Sequence, residues 1–280
     1  MFRHLLSLWA FAVLCSACAR SSSPRDAGVT EPPALAQEAR FNISGTQPRR
    51  LVARVVREYP HATDAFTQGL VFHQGSLFES TGRQGSLRRL SLEQARPTWM
   101  QQIPGTFPEG LASDGERLLQ LTWHDEQLLT WKGSPPTRQQ TLRYQGEGWG
   151  LCYRKGRFVR SDGSTTLHLH EPVSFREVGT LKVTLGGTPP LRAPLNELEC
   201  TEDAIYANLW HSSDIYQIDP DSGAVVAVID ASELSRRVGP ALRDPEAVLN
   251  GIAIEPGTGR IFLTRKYWPT LFEVRFEPAP

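Results

Sequence analysis

The stretch Thr67-Gln68-Gly69-Leu70-Val71-Phe72 decides the fold, because shortened copies of it recur along the chain. Each copy is a polar or aromatic residue, a second residue that is usually glycine, and then leucine or isoleucine at the start of an apolar run. The later copies are Glu109-Gly110-Leu111, Trp149-Gly150-Leu151, Asn196-Glu197-Leu198 and Asn250-Gly251-Ile252. They start 41, 40, 47 and 54 residues apart. Four-stranded units that repeat about every 40 to 50 residues are typical of β-propeller blades.

A turn and a second apolar strand follow each copy, as in a β-hairpin. The turns are expected at Gly75, Gly115, Gly156, Asp203 and Gly259. Leu77-Phe78 follows the first turn and Ile261-Phe262 follows the last. Beyond Pro269 only one further strand, residues 271–276, remains, so the fifth unit lacks its outer strand. Residues 51–59 can supply that strand from the N-terminal side.

We therefore predict an all-β protein in which residues 50–280 form a five-bladed β-propeller with four-stranded blades. An N-terminal strand is expected to close the ring, and such closure removes the open sheet edge that would otherwise template aggregation. A two-sheet sandwich also holds many strands, but it gives no reason for a Gly-Leu step at a regular interval. The 23 glycines and 21 prolines, against only two methionines, likewise favour a turn-rich β protein.

The charge balance limits the partners that the chain can recruit. Lysine and arginine together number 30, as do aspartate and glutamate, so no strong global field attracts nucleic acid or an anionic membrane. We expect a small or neutral partner, no nucleic acid, and a monomer.

The N-terminus resembles an export signal. Arg3 and His4 precede a short apolar run that ends at Cys18, and Leu14-Cys15-Ser16-Ala17-Cys18 is similar to a bacterial lipobox. Residues 1–18 are therefore predicted to be a lipoprotein-type signal peptide with a lipid anchor at Cys18; ordinary secretion and an uncleaved anchor are the alternatives. Residues 19–49, rich in Ser, Pro, Ala, Glu and Arg, are predicted to be a disordered tether. The expected location is the periplasm or the outer membrane of a bacterium.

Two cysteines, Cys152 and Cys200, remain in the predicted folded part. An oxidising compartment permits a bridge between them, whereas two buried thiols on separate strands explain the sequence equally well. Neither reading supports a metal site, since the predicted folded part has no CxxC and no Cys-His cluster. We expect no metal and no cofactor.

The residue before each Gly-Leu step is expected to face the central channel, because the innermost strand of every propeller blade lines it. These ring residues are Gln68, Glu109, Trp149, Asn196 and Asn250. Trp123, Trp210 and Lys266 follow the second strands and are expected at the same end. Polar residues could line the channel simply because it is wet. A single Glu, a single Lys and three Trp instead indicate an aromatic pocket with a group that can move a proton.

At this point the sequence resembles a known family, the plant and bacterial type of glutaminyl-peptide cyclotransferase, or glutaminyl cyclase. The motifs that carry the resemblance run in order through Tyr59-Pro60-His61, Ala65-Phe66-Thr67-Gln68-Gly69-Leu70, Leu77-Phe78-Glu79-Ser80-Thr81-Gly82, Glu109-Gly110-Leu111, Gly148-Trp149-Gly150-Leu151, Ser161-Asp162-Gly163-Ser164, Leu195-Asn196-Glu197-Leu198-Glu199, Tyr206-Ala207-Asn208-Leu209-Trp210, Leu249-Asn250-Gly251-Ile252 and Lys266-Tyr267-Trp268-Pro269. They extend from about residue 59 to residue 276. The resemblance implies a five-bladed propeller that converts the N-terminal glutamine of peptides or proteins into pyroglutamate and releases ammonia without a metal.

By the same resemblance, Glu109 is the general acid and base. The predicted catalytic residues are Glu109, Gln68, Asn196 and Lys266, and the predicted substrate-binding residues are Phe66, Phe107, Trp123, Trp149 and Trp210. For the negatively charged oxygen of the reaction intermediate, Gln68, Asn196 and Lys266 are the candidate donors. Two readings from other classes remain open: a non-catalytic propeller that binds an envelope peptide or protein, and a glycosidase, which needs two flanking carboxylates where the ring offers one.

The loop after Gly82 departs from the usual family form. It is one or two residues shorter and carries Arg83, Arg88 and Arg89, which we expect at the mouth of the pocket.

Glu197 and Glu199 flank Leu198, and we expect structural roles for both.

Overall fold

Almost all the regular structure is β-strand. The computed structural model describes residues 47–190, 193–238 and 244–280, and in these ranges one helix of seven residues accompanies twenty strands. The strands are β1 Arg49–Pro60, β2 Thr67–His73, β3 Ser76–Thr81, β4 Ser86–Arg89, β5 Trp99–Gln102, β6 Pro108–Ser113, β7 Leu118–Thr122, β8 Gln127–Lys132, β9 Thr137–Arg143, β10 Leu151–Arg154, β11 Arg157–Arg160, β12 Thr166–His170, β13 Glu177–Lys182, β14 Leu195–Cys200, β15 Ile205–Leu209, β16 Asp214–Ile218, β17 Val225–Asp230, β18 Leu249–Ile254, β19 Ile261–Arg265 and β20 Thr270–Pro278. The helix α1 is Ser232–Val238.

The strands form three four-stranded sheets and one sheet of eight. The small sheets are β2-β3-β4-β5, β6-β7-β8-β9 and β10-β11-β12-β13, each in chain order and antiparallel. The large sheet runs β14-β15-β16-β17-β1-β20-β19-β18. The predicted all-β fold with sheets of four strands is confirmed, while the five-blade count and the ring closure stay predictions.

The N-terminal strand β1 joins the two ends of the chain. It pairs antiparallel with β20 along most of its length and parallel with the end of β17. It begins at Arg49, the last residue of the predicted tether, because the backbone of Arg49 already pairs with Ala227 of β17. The predicted signal peptide, Cys18 and most of the tether lie outside the described residues, so export and lipidation stay predictions. In the part of the chain that the structure describes, no helix has the length and apolar character needed to cross a membrane.

The recurring glycine is needed where the first strands of neighbouring sheets approach each other. A Cβ atom on Gly69 would lie 2.5 Å from the backbone nitrogen of Leu111, and one on Gly150 would lie 2.2 Å from the backbone oxygen of Asn196. No side chain fits at such distances, so glycine permits close approach of one backbone to the next. The leucine or isoleucine after each glycine is buried.

The fourth copy has Glu197 in place of glycine, and its side chain makes the contacts between strands itself. The buried carboxylate accepts the backbone N–H of Leu70 in β2 at 3.2 Å and that of Ile252 in β18 at 2.9 Å. Glu197 therefore ties β14 to β2 of another sheet and to β18 at the opposite edge of its own sheet, in keeping with its predicted structural role.

The first residue of four of the five copies sits at a break in the strand register. The pairing shifts between Thr67 and Gly69 and between Pro108 and Leu111, with equivalent shifts in β14 and β18. An extra residue in one strand of an antiparallel pair re-aims its side chain. This local irregularity takes Gln68 and Glu109 out of the regular ladder.

Two cysteines on neighbouring first strands are bonded to each other. Cys152 in β10 and Cys200 in β14 form a disulfide with their Cα atoms 5.4 Å apart. Of the two readings left open by the sequence, the bridge is confirmed. It fastens two neighbouring sheets at the end of the first strands.

Replacing both cysteines with alanine should destabilise the fold. The bridge closes a segment of 48 residues, and a loop of that length corresponds to about 4 kcal/mol of unfolding free energy. Urea unfolding of the Cys152→Ala, Cys200→Ala protein measures the loss, and reduced wild-type protein serves as the control. An unchanged unfolding midpoint would contradict this prediction.

Candidate active site

All nine predicted site residues line one cavity of about 510 Å³. They are Phe66, Gln68, Phe107, Glu109, Trp123, Trp149, Asn196, Trp210 and Lys266. Three further residues complete the lining: Arg83, which is among the arginines predicted at the mouth, and Glu147 and Glu246, which the sequence did not indicate. The structure thus brings the predicted set together, while the roles of its members stay predictions.

The hairpins explain how residues so far apart in the chain meet. Phe66 and Phe107 immediately precede the first strands β2 and β6. Trp123, Trp210 and Lys266 immediately follow the second strands β7, β15 and β19. In an antiparallel pair the start of one strand lies beside the end of the other, so both groups fall at the same end of their sheets.

A chain of three hydrogen-bonded side chains fixes Glu109. The Nε2 atom of Gln68 donates to Oε1 of Glu109 at 2.7 Å, and Nδ2 of Asn250 donates to Oε1 of Gln68 at 3.0 Å. Asn250 also donates to the backbone oxygen of Thr67 at 3.0 Å. Gln68 therefore orients the carboxylate through one N–H of its amide, while its role as a donor to the substrate oxygen stays a prediction.

The buried pair Glu109 and Lys266 have opposite pKa shifts. Burial raises the pKa of Glu109 well above its usual range, against the opposing effects of the Lys266 charge and the Gln68 hydrogen bond, and the charge of Glu147 raises it further. Burial lowers the pKa of Lys266 to about 8, although the charge of Glu109 opposes this. The cavity therefore holds an acid and a base that are both shifted toward neutral pH, as proton transfer at neutral pH requires.

Aromatic rings form most of the remaining wall. Phe66 is buried; its ring centroid lies 4.4 Å from Nζ of Lys266, and the ring meets that of Phe107 edge-on at 6.0 Å. On the other side Trp149 and Trp210 meet edge-on with centroids 5.7 Å apart. Such walls exclude water and leave a slot for an apolar chain with a polar end.

Glu147 and Glu246 hold these indoles. Oε2 of Glu147 accepts the indole N–H groups of both Trp123 and Trp149, and Oε2 of Glu246 accepts that of Trp210. The sequence contains only a weak indication of these two residues. Each precedes a predicted channel-facing residue by a few positions: Glu147 lies two before Trp149, and Glu246 lies four before Asn250. An acidic residue in a loop carries no sign of an indole partner distant in the sequence.

Of the three arginines predicted at the mouth, only Arg83 lines the cavity. Its guanidinium lies 4.6 Å from the ring centroid of Phe66 and pairs with Asp244. The prediction was wrong for Arg88, which is buried on β4 and donates to Asp64 at 2.9 Å. It was also wrong for Arg89, which bonds to Thr98 away from the cavity.

Gly82 provides a test of how tightly this cavity is packed. A Cβ atom there would lie 2.4 Å from the ring of Phe107 and 3.2 Å from Cγ of Gln68. We expect Gly82→Ala to displace Phe107 and raise KM about tenfold, since small misplacements in a binding site cost at least this much. Steady-state kinetics measure the change, with Gly179→Ala, where the added carbon meets only Leu169 at 3.9 Å, as the matched control. Equal KM values in the two variants would refute the tight packing.

A second, larger cavity of about 800 Å³ lies at the turns after the first strands. Its walls include Glu199, whose pKa is raised by burial to about 8, and the cystine of Cys152 and Cys200. None of the predicted site residues line it, and it contains no Lys or Trp. It lacks the acid and base pair that distinguishes the smaller cavity.

Within residues 47–190, 193–238 and 244–280, no cluster of three or more His, Cys, Asp or Glu side chains could hold a metal ion.

A buried, oriented carboxylate and a lysine in one aromatic pocket, at one end of the sheets, define the class: an all-β enzyme with an acid and base site. The family model for glutamine cyclotransferase matches residues 28–276. The chain is 34% identical over 230 residues to a glutaminyl-peptide cyclotransferase of Arabidopsis thaliana, a match that covers 80% of this chain and 71% of the relative. A crystal structure of Myxococcus xanthus glutaminyl cyclase is 61% identical with a TM-score of 0.81, and the match covers 84% of this chain and 100% of that one.

The chain belongs to the glutamine cyclotransferase family. The resemblance that the motifs indicated is confirmed. The two other classes, a non-catalytic binding propeller and a glycosidase, do not agree with this membership.

Proposed function

We propose that this enzyme is a glutaminyl-peptide cyclotransferase that converts the N-terminal glutamine of peptides or proteins into pyroglutamate and releases ammonia. The observation that carries the proposal is the position of Glu109: buried, oriented by Gln68 and facing an aromatic cavity that also contains Lys266. The names of the two relatives support the same activity.

Glu109 moves the one proton that the reaction requires. The α-amino nitrogen attacks the carbonyl carbon of its own side-chain amide, and a ring C–N bond forms while Glu109 accepts a proton from that nitrogen. The bond to the side-chain nitrogen then breaks as Glu109 returns the proton, so ammonia leaves and the lactam remains. A pKa raised by burial suits this role, because the carboxylate must both take and give the proton near neutral pH.

Lys266 and Asn196 stabilise the intermediate. The carbonyl oxygen becomes negative when the amine attacks, and donors fixed in a dry site stabilise that charge strongly. Lys266 is 3% exposed and Asn196 is also 3% exposed, and both line the cavity. The aromatic walls hold the side chain in a ring-closing conformation, which provides further rate because the reaction is intramolecular. Every step uses side chains of the chain itself, so the proposed mechanism needs no metal.

Five blades closed by the N-terminal strand form the proposed architecture. The first strands β2, β6, β10, β14 and β18 each contact the next, and β18 contacts β2. The pairing of β1 with β20 also supports closure, since it gives the fifth unit its outer strand.

Peptides that differ by one methylene test the activity. Purified enzyme should release ammonia from a peptide that begins with glutamine, with a mass loss equal to one ammonia, and should leave the matching asparagine peptide intact. The shorter side chain cannot form the five-membered lactam. Absence of ammonia from the glutamine peptide, or equal release from both, would contradict the proposal.

A further inference from the structure

One arrangement of side chains occurs twice at the rim of the cavity. A Trp-His pair directly follows the second strand of a hairpin, and the indole bonds to a glutamate on the loop that leads to the next first strand. Trp123 and His124 follow β7, and their partner Glu147 precedes β10. The second copy consists of Trp210 and His211 after β15, with Glu246 before β18.

In the first copy one carboxylate oxygen accepts hydrogen bonds from two indole rings. Oε2 of Glu147 accepts the indole N–H of Trp123 at 2.9 Å and that of Trp149 at 2.8 Å. His124 stacks on Trp123 with ring centroids 3.8 Å apart, and its Nδ1 lies 3.7 Å from Oε1 of Glu147. The backbone oxygen of Glu147 in turn accepts a hydrogen bond from Arg160, which anchors the loop.

In the second copy Oε2 of Glu246 accepts the indole N–H of Trp210 at 3.1 Å, and Nε2 of His211 lies 3.5 Å from Oε1. Because Trp210 also meets Trp149 edge-on, the two copies join into one continuous wall. The wall consists of three indoles whose polar edges are all bonded to carboxylates.

We propose that Glu147 and Glu246 are positioning residues for the cyclisation: they fix the three indoles of the glutamine pocket, and each places a negative charge near one member of the Glu109 and Lys266 pair. The proposal rests on the proposed function. Neither glutamate needs to touch the substrate. Each acts through an indole ring that contacts the substrate, and through the effect of its negative charge on Glu109 or Lys266.

The hydrogen bonds matter because the rim is open to water. Trp123 is 36% exposed, so packing alone does not fix its ring. A bonded indole N–H limits the ring to one orientation, and a binding wall that is rigid before the substrate arrives loses less conformational freedom on binding.

The two charges act on different groups. The charge of Glu147 raises the pKa of Glu109, where the other charged neighbour is Lys266. The charge of Glu246 raises the pKa of Lys266, alongside Glu109 and Asp244 and against Arg83. Removing one carboxylate should therefore move one limb of the pH profile, and removing the other should move the opposite limb.

Glutamine and alanine variants separate position from charge. Glu147→Gln keeps an oxygen acceptor and loses the charge, so the acid limb of kcat/KM should move to lower pH with KM within about twofold of wild type. Glu147→Ala loses both and should raise KM about tenfold as well. Glu246→Gln should leave the acid limb in place and move the alkaline limb to lower pH. The matched control is Glu277→Gln, an exposed carboxylate on β20.

Two results would overturn the proposal. One is a Glu147→Ala enzyme with the KM and pH profile of Glu277→Gln; the other is a shift of the same limb in Glu147→Gln and Glu246→Gln. Thermal melts identify a variant that fails to fold, and if an alanine variant fails to fold, the pH profile of the glutamine variant at the same position tests the proposal.

A second readout needs no activity and so distinguishes failure of this proposal from failure of the proposed function. The indole N–H signals in ¹H–¹⁵N spectra of the free enzyme, assigned with Trp123→Phe, Trp149→Phe and Trp210→Phe, report the hydrogen bonds directly. Glu147→Ala should move the signals of Trp123 and Trp149, and Glu246→Ala that of Trp210. Unmoved signals would overturn the positioning role even in an active enzyme, whereas moved signals in an inactive wild type would sink only the cyclisation.

Discussion

Replacing Glu109 with glutamine should lower kcat/KM for pyroglutamate formation by about 10³-fold, the middle of the range for loss of general acid and base catalysis. The change keeps the size of the side chain and an oxygen that can accept the hydrogen bond from Gln68. It removes only the ability to take a proton from the amine and return it to the leaving nitrogen. Initial rates of ammonia release at several pH values measure the effect.

Glu199→Gln is the matched control for this variant. Glu199 is also a buried carboxylate on a first strand, with a pKa raised by burial to about 8, but it lines the cavity at the turns. Its replacement should leave kcat/KM unchanged. A Glu109→Gln enzyme that is folded by circular dichroism and retains near-normal turnover would eliminate Glu109 as the proton carrier.

Replacing Lys266 with methionine should lower kcat by about 10²-fold, which is the cost of losing one donor to a negatively charged oxygen. The pH profile should change in two ways. Lys266 has a pKa of about 8, so wild-type activity should fall as the pH rises through that value and the amine loses its charge; this limb should vanish in the variant. The charge of Lys266 holds the pKa of Glu109 down, so the acid limb should move to higher pH.

All pH profiles should be measured with the same peptide. The titration of the substrate amine is then the same in every profile, so any difference between profiles comes from the enzyme. Lys182→Met, at an exposed position on β13, is the control and should match wild type. Lys266→Arg keeps the charge and should retain the position of the acid limb. If Lys266→Met keeps the alkaline limb near pH 8, that limb belongs to another group and the role of Lys266 is refuted.

The sequence predicts the β fold and the composition of the pocket because both depend on local pattern. The step from Gln68 through Gly69 to Leu70 recurs where first strands pack backbone to backbone, and only glycine fits that approach. The residue before it occupies the same place in each hairpin, so equivalent positions gather at one end of the sheets. The family motifs then point to Glu109 and its neighbours.

What the sequence does not predict depends on contacts between loops that are distant in the chain. The bonds from Glu147 to two indoles, and the use of Gln68 as a donor to Glu109, follow from side-chain directions that no spacing reveals. The same limit applies to Arg88, which follows Arg83 closely in the sequence but lies on β4 and donates to Asp64. The disulfide required knowing that β10 and β14 lie side by side.

The most direct test of the account is the kcat/KM of enzyme stripped of metal by chelation and dialysis, measured with a glutamine-initiated peptide. If the side chains around Glu109 carry out the cyclisation by themselves, the stripped enzyme should retain the full rate, and added Zn²⁺ should not increase it. Loss of activity on chelation, with recovery when Zn²⁺ is restored, would contradict the account.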